Sequence, residues 1–159
     1  MKKRYYHLGG GYTGELFEEE ILGPWRIVCQ GYLPYSQALA EVIKNQPRNW
    51  NPSDPPTRIA NDLHALVAIN LNLDDWSLLN LFSARGSSFD IFHGVDAFFI
   101  INKTLCTLDL TISKKERAKA DLVIRDEDIF EKTAMEKTSK KISEILFSKK
   151  PVILKEAIA

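Results

Sequence analysis

Hydrophobic spacing changes character along this chain, and each change marks a different element. Over residues 36–44 (SQALAEVIK), Leu39, Val42 and Ile43 share one face at helical spacing, with Ser36 as a good N-cap. Residues 15–22 carry a shorter helical pattern. Residues 25–33 (WRIVCQGYL) are rich in β-formers and predict a strand or hairpin arm. A connection rich in proline and asparagine, QPRNWNPSDPP at 46–56, then punctuates the chain. Beyond it, Asp54 as N-cap and Pro55 at the first helical position predict a helix whose apolar face holds Ile59, Leu63, Leu66 and Val67.

From residue 78 the pattern becomes strand-like, over 78–83, 95–102 and 104–112. The last two are separated only around Asn102 and Lys103, which predicts a tight hairpin. Ser113 with Glu116 fits a capping box and predicts a short helix to Ala120, followed by a strand over 121–125. Asp126 or Asp128 then opens a long helix in which Phe130, Ala134, Ile142, Ile145 and Leu146 form one stripe among lysines. The tail at 151–158 reads equally as an edge strand or a loosely packed end. Residues 1–159 are thus expected to form one α/β domain, with an N-terminal module at 1–46 and a core at 54–150. That core combines a hairpin with a βαβ-like crossover, so a mixed β-sheet flanked by helices is expected.

Composition narrows the class. With 45% apolar and 26% charged residues the chain is ordinary for a globular protein, which excludes general disorder. The 21 basic and 21 acidic residues cancel, so the global basic excess of a non-specific nucleic-acid binder is absent. The charge is nonetheless uneven: residues 1–113 are net acidic and residues 114–150 net basic. Cys29 and Cys106 lie far apart in apolar runs, the pattern of buried thiols in a reducing compartment and not of a metal or redox motif. The basic start MKKRYYHLGGG leads into glycines instead of an apolar stretch, and no apolar run approaches the length of a membrane span. A soluble, cytoplasmic protein with no membrane contact is the expectation.

The candidate chemistry lies in SSFDIFHGVDAFF at 87–99 and TLDLT at 107–111. Asp96 and Asp109 sit inside otherwise apolar strands, and a buried carboxylate needs a cation, a hydrogen-bond network or water beside it. Strand alternation puts Thr107, Asp109 and Thr111 on one side of their strand, and Asp96 on the side of Phe98 and Ile100. A hairpin joining the two strands can bring both carboxylates to one sheet face. Paired oxygen donors there suit a hard divalent cation such as Mg²⁺. The plainer alternative is local: Asp96 capping the turn at Gly94, and Asp109 bonding Thr107 or a backbone amide.

This segment resembles the core of the PD-(D/E)XK phosphodiesterase superfamily, the restriction-endonuclease-like fold. The resemblance implies a helix–strand–strand–strand–helix–strand core, similar to the order predicted here for 54–125. It also implies an acid on the second core strand, matched by Asp96, and a D/E-x-K triplet on the third, matched in its first position by Asp109. Mg²⁺ or Mn²⁺ would be the cofactor, DNA or RNA the substrate, and Asp90 an outer or third metal acid. One position departs: the triplet is Asp109-Leu110-Thr111, with threonine where the family has its lysine. Lys114 or Lys115 is the replacement if the chain turns back at Ser113; along a straight strand Lys115 would lie about 20 Å from Asp109. Either the chain is a magnesium-dependent nuclease-like hydrolase, or it is a non-catalytic binding or assembly module that retained the fold.

Other candidates are weaker. His93, three residues from both Asp90 and Asp96, has the chemistry of a general base or a third metal ligand, although a histidine in a surface turn is commoner. Asp62, on the helix after the connection, would supply the additional acid found in some members of that superfamily, or simply be solvated. The LGGGYTGE stretch lacks the lysine of a phosphate-binding loop and does not follow a strand. Trp25, Trp50 and Trp76 have stacking surfaces but are more often packing anchors.

Overall fold

The computed structural model describes residues 12–113 and 118–149. It is a mixed α/β arrangement in which one four-stranded sheet lies between two helical layers. The elements are α1 (Gly14–Leu22), α2 (Tyr35–Lys44), α3 (Arg58–Asn70), β1 (Asn80–Ser83), α4 (Ser88–His93), β2 (Ala97–Ile101), β3 (Thr104–Leu110), β4 (Leu122–Ile124) and α5 (Lys132–Ser148). The strands pair in the order β1-β2-β3-β4, the first two pairings antiparallel and β3–β4 parallel.

The predicted hairpin is there. Ile101 pairs with Thr104, and Asn102 and Lys103 between them take φ of 48° and 66°, the left-handed pair of a tight two-residue turn. Both faces of β2 are buried, so its alternation separates two apolar environments and not core from water. Ala97, Phe99 and Ile101 join Phe17, Leu63, Val67 and Ile142 in the core beneath α1, α3 and α5. Phe98 and Ile100 join Leu39, Val42 and Phe89 beneath α2 and α4. Among the described residues no helix is long and apolar enough to cross a membrane.

Several expectations fail locally. Residues 25–33 form no strand. Their tie to the sheet region is the Ile27 N–H bonded to the Arg85 carbonyl at 2.8 Å; Gly31 at φ 128° and Pro34 then turn the chain into α2. The β-forming side chains divide between burial (Ile27) and solvent (Val28, 76% exposed), a pattern propensity does not distinguish. Cys29 in this segment is half-buried, while Cys106 is buried in β3, and both are free thiols. Thr57, not Asp54, caps α3, accepting from Ala60 N–H while its hydroxyl donates to the Ile21 carbonyl at 2.5 Å. Asp54 instead accepts from the Asn61 side chain at 2.8 Å. Residues 126–128 form a separate tight turn before α5 begins at Lys132. The predicted capping-box helix at 113–120 and the tail at 151–158 fall wholly or partly outside the described residues.

Candidate functional site

Three carboxylates converge from separate segments. Oxygens of Glu18 (α1), Asp90 (α4) and Asp96 (the residue before β2) all lie within 4.8 Å of one another. Local rules explain each placement. Phe17, Ile21 and Leu22 bury one side of α1, and Glu18, half-buried, borders that side. Ser87 caps α4 by accepting from Asp90 N–H at 3.3 Å, and Gly94 ends the helix in the left-handed conformation at φ 69°. That short helix, fixed at both ends, aims Asp90 back over the preceding turn, where its carboxylate accepts from Gly86 N–H at 2.8 Å. Asp96 donates its own N–H to the Leu108 carbonyl, and its carboxylate accepts from Leu110 N–H at 2.6 Å, serving as a ladder acceptor in place of backbone.

Such crowding has an electrostatic cost. Burial pushes the Asp96 carboxyl up to about 10, helped by Glu18 and by a hydrogen bond with Asp90, and opposed by the Leu110 N–H. The hydrogen bond that Asp96 shares with Asp90 favours the protonated form of Asp96. Glu18 is pushed up to about 7, first by burial and then by Asp90, with Arg85 and Arg26 pulling it down and Asp109 adding a smaller upward push. Arg85 is the adjoining cation. It is 1% exposed, its Nε lies 3.8 Å from Glu18 Oε1, and its Nη1 donates to the Gly23 carbonyl at 2.6 Å.

The chemistry available is that of hard-cation binding or proton storage. An octahedral Mg²⁺ holds oxygens at about 2.1 Å, which separates neighbouring ligands by about 3 Å and opposite ones by about 4 Å. Three carboxylate oxygens within 4.8 Å of one another are close enough for one such ion to draw them together. An all-oxygen donor set favours Mg²⁺, Mn²⁺ or Ca²⁺ over softer metals.

No family model, curated protein or solved structure matches this chain. The site therefore stands on its own geometry. Of the residues singled out from sequence, Asp96 and Asp90 meet in the trio, and Asp109 stands beside it. Continuing the β2–β3 register by one residue beyond Ala97↔Leu108 sets Asp109 opposite Asp96, and Asp109 is 5% exposed, but its oxygens are not among those within 4.8 Å. Thr111, at the lysine position of the triplet, is tied into a local turn with Ser113 at 3.1 Å. Lys114 and Lys115 lie outside the described residues. His93 joins no metal group: its ring bonds the Leu33 carbonyl at 2.7 Å and packs among Tyr32, Tyr35 and Phe89. Asp62 is exposed and lines a depression of about 390 Å³ with Arg58, Phe130 and Met135, to which none of the trio contributes.

Sequence reasoning missed Glu18 and Arg85. Glu18 is one of three consecutive glutamates, and only its place beside the buried strip of α1 sets it apart. Arg85 carries no signal of its own beyond a cation lying between β1 and α4.

Proposed function

We propose that this chain is a metal-dependent phosphodiesterase-like domain acting on DNA or RNA, with Glu18, Asp90 and Asp96 holding Mg²⁺ or Mn²⁺. The observation that carries the reading is the convergence of three carboxylates from three separate segments at one end of a hairpin. Such a cluster is unfavourable for an apo fold unless a cation or a proton completes it. Further support comes from a helix, α3, followed by three antiparallel-paired strands and a parallel β4, which is similar to what the PD-(D/E)XK resemblance implies except that α4 is inserted between β1 and β2.

When bound, the ion supplies Lewis acidity toward a phosphoryl oxygen and a more acidic water. Asp96 is held for that task by Leu110 N–H and Asp90 by Gly86 N–H, so both ligands are oriented by backbone and need little reorganisation. Asp109, opposite Asp96, adds negative potential that draws a cation to this end of the sheet. Lys119, exposed and donating to the Phe92 carbonyl at 3.4 Å, sets one basic group beside α4, and Lys114 and Lys115 precede it in sequence as further phosphate partners. A cytoplasmic setting fits the two free thiols.

A second reading keeps the cation and drops the cleavage. Thr111 offers no charge where the family has lysine, which favours a binding or assembly module retaining the fold. One experiment tests both readings. Calorimetric Mn²⁺ titration is paired with cleavage assays on single- and double-stranded DNA and RNA, using wild type, Asp96→Asn and Asp109→Asn. The enzyme reading expects metal-dependent cleavage, binding abolished by Asp96→Asn, and weakened but measurable binding in Asp109→Asn. Binding without cleavage selects the second reading, and a wild type that binds no divalent ion ends both.

A further inference from the structure

The connection rich in proline and asparagine lies along β1, the strand at the opposite edge of the sheet from β4. β1 pairs with β2 on one side. On its other side, four outward backbone groups are met by the connection. Leu81 N–H donates to the Pro52 carbonyl at 2.8 Å, and the Leu81 carbonyl accepts from Trp50 Nε1 at 2.8 Å. Ser83 N–H donates to Gln46 Oε1 at 3.0 Å, and the Ser83 carbonyl accepts from Gln46 Nε2 at 2.8 Å. Three of these four bonds come from side chains, so the connection satisfies the edge without being a strand. Trp50, 4% exposed, anchors it in the core, and Gln46 Nε2 also donates to the Val42 carbonyl of α2 at 2.8 Å. Pro47 and Pro52 have no N–H to offer, so the connection is a poor template for a further strand.

A strand edge with unmet N–H and C=O groups pairs readily with another strand, and folded proteins close such edges. We propose that residues 46–52 form a strap that holds β1 back from the β1 strand of a second copy of this chain, and that this edge becomes a self-pairing surface when the strap is loosened. The inference is independent of the carboxylate site. A second copy is the partner because the edge is self-complementary. Antiparallel pairing centred on Phe82 sets Leu81 of one copy opposite Ser83 of the other, and each such pair exchanges two N–H···O bonds. Two pairs make four bonds, and they engage the same backbone groups that the strap occupies. Trp76 and Leu78, just before β1, are 42% and 57% exposed, so the chain leading into this edge carries apolar surface for association to cover.

The test is self-association of the full chain by sedimentation equilibrium, with amide hydrogen exchange to locate the contact. Gln46→Ala combined with Trp50→Phe removes three of the four strap bonds while keeping an aromatic ring in the core. This variant should dimerise about 10- to 100-fold more tightly than wild type, because bonds of modest net value no longer favour the closed edge. In the dimer the Leu81 and Ser83 amides should be protected from exchange. Arg48→Ala changes an exposed strap residue outside those bonds and should associate as wild type does. Gln46→Ala alone leaves the core untouched, so it keeps the proposal testable if the double variant does not fold, and it should tighten dimerisation about 10-fold. Association unchanged by Gln46→Ala, association strengthened equally by Arg48→Ala, or a dimer whose Leu81 and Ser83 amides exchange freely would each overturn the proposal.

Discussion

Replacing Glu18 by glutamine in the metal-free protein should stabilise the fold, and by more as pH rises. Glu18 is pushed from 4.5 to about 7, chiefly by burial and by Asp90. A carboxyl whose folded value lies above its unfolded value binds its proton more tightly in the folded state. Its contribution to stability is fully present below the unfolded value and is lost as pH rises toward 7. Glutamine is isosteric with the protonated acid and has nothing to lose. Wild type and variant should therefore coincide near pH 4 and diverge through pH 4.5 to 7, with a constant gap above. At about 1.36 kcal/mol for each pH unit, the rise from 4.5 to about 7 corresponds to about 3 kcal/mol. The Glu18 side chain is 24% exposed, so solvent screening lowers the expected plateau to between about 1 and about 3 kcal/mol. The assay is urea denaturation in EDTA at half-unit steps from pH 4 to 8.5, comparing midpoints at constant m. Excess Mn²⁺ should then narrow the gap at pH 8, since a ligand at 100 times its dissociation constant adds about 2.7 kcal/mol to the form that binds it. A gap independent of pH, or a variant less stable than wild type at pH 8 without metal, would refute the reasoning.

Two further outcomes follow from other parts of the structure. Gly86→Ala should cost about 2 kcal/mol or more in denaturant midpoints, because the added Cβ would sit 2.5 Å from the Ile27 carbonyl at a φ of 85°; an unchanged midpoint would mean that the β1–α4 turn is not rigid. If nucleic acid binds through the basic segment, changing Lys114 and Lys115 together to alanine should flatten the slope of log affinity against log salt by about one to two units without altering the thermal transition; a wild type with no salt-dependent binding to DNA or RNA in the presence of Mg²⁺ removes the nucleic-acid assignment.

How much of this was legible beforehand depended on the range of the interaction responsible. The β2–β3 hairpin follows from Asn102 and Lys103 between two apolar runs, because a two-residue turn fixes its own register. Register then sets Asp109 opposite Asp96, so the sheet half of the site was visible from local rules. Residues 25–33 misled for the complementary reason. A β-rich composition reports fitness for a half-buried surface, and here that surface is met by an irregular segment crossing beside Arg85. The short helix α4 carried a readable signal that was passed over, with Ser87 three residues before Asp90 and Gly94 just past the end.

Glu18 marks the limit. Nothing within α1 separates its carboxylate from those of Glu19 and Glu20 except one step around the helix. Its partners Asp90 and Asp96 come from other segments, and Arg85, buried and bound to the Gly23 and Glu15 carbonyls, links α1 to the β1–α4 turn. A long-range ion pair has no sequence period, so no pattern along the chain can announce it. The sign that something must complete Asp96 was nonetheless present. A carboxylate in an apolar strand has a solvation debt that neither Gly94 nor Thr107 could settle by turn geometry alone. In the fold the strand's own Leu110 N–H meets part of that demand, and a shared proton or a cation among Glu18, Asp90 and Asp96 must meet the rest. Sequence thus points to the need for a partner, and tertiary structure decides which side chains supply it.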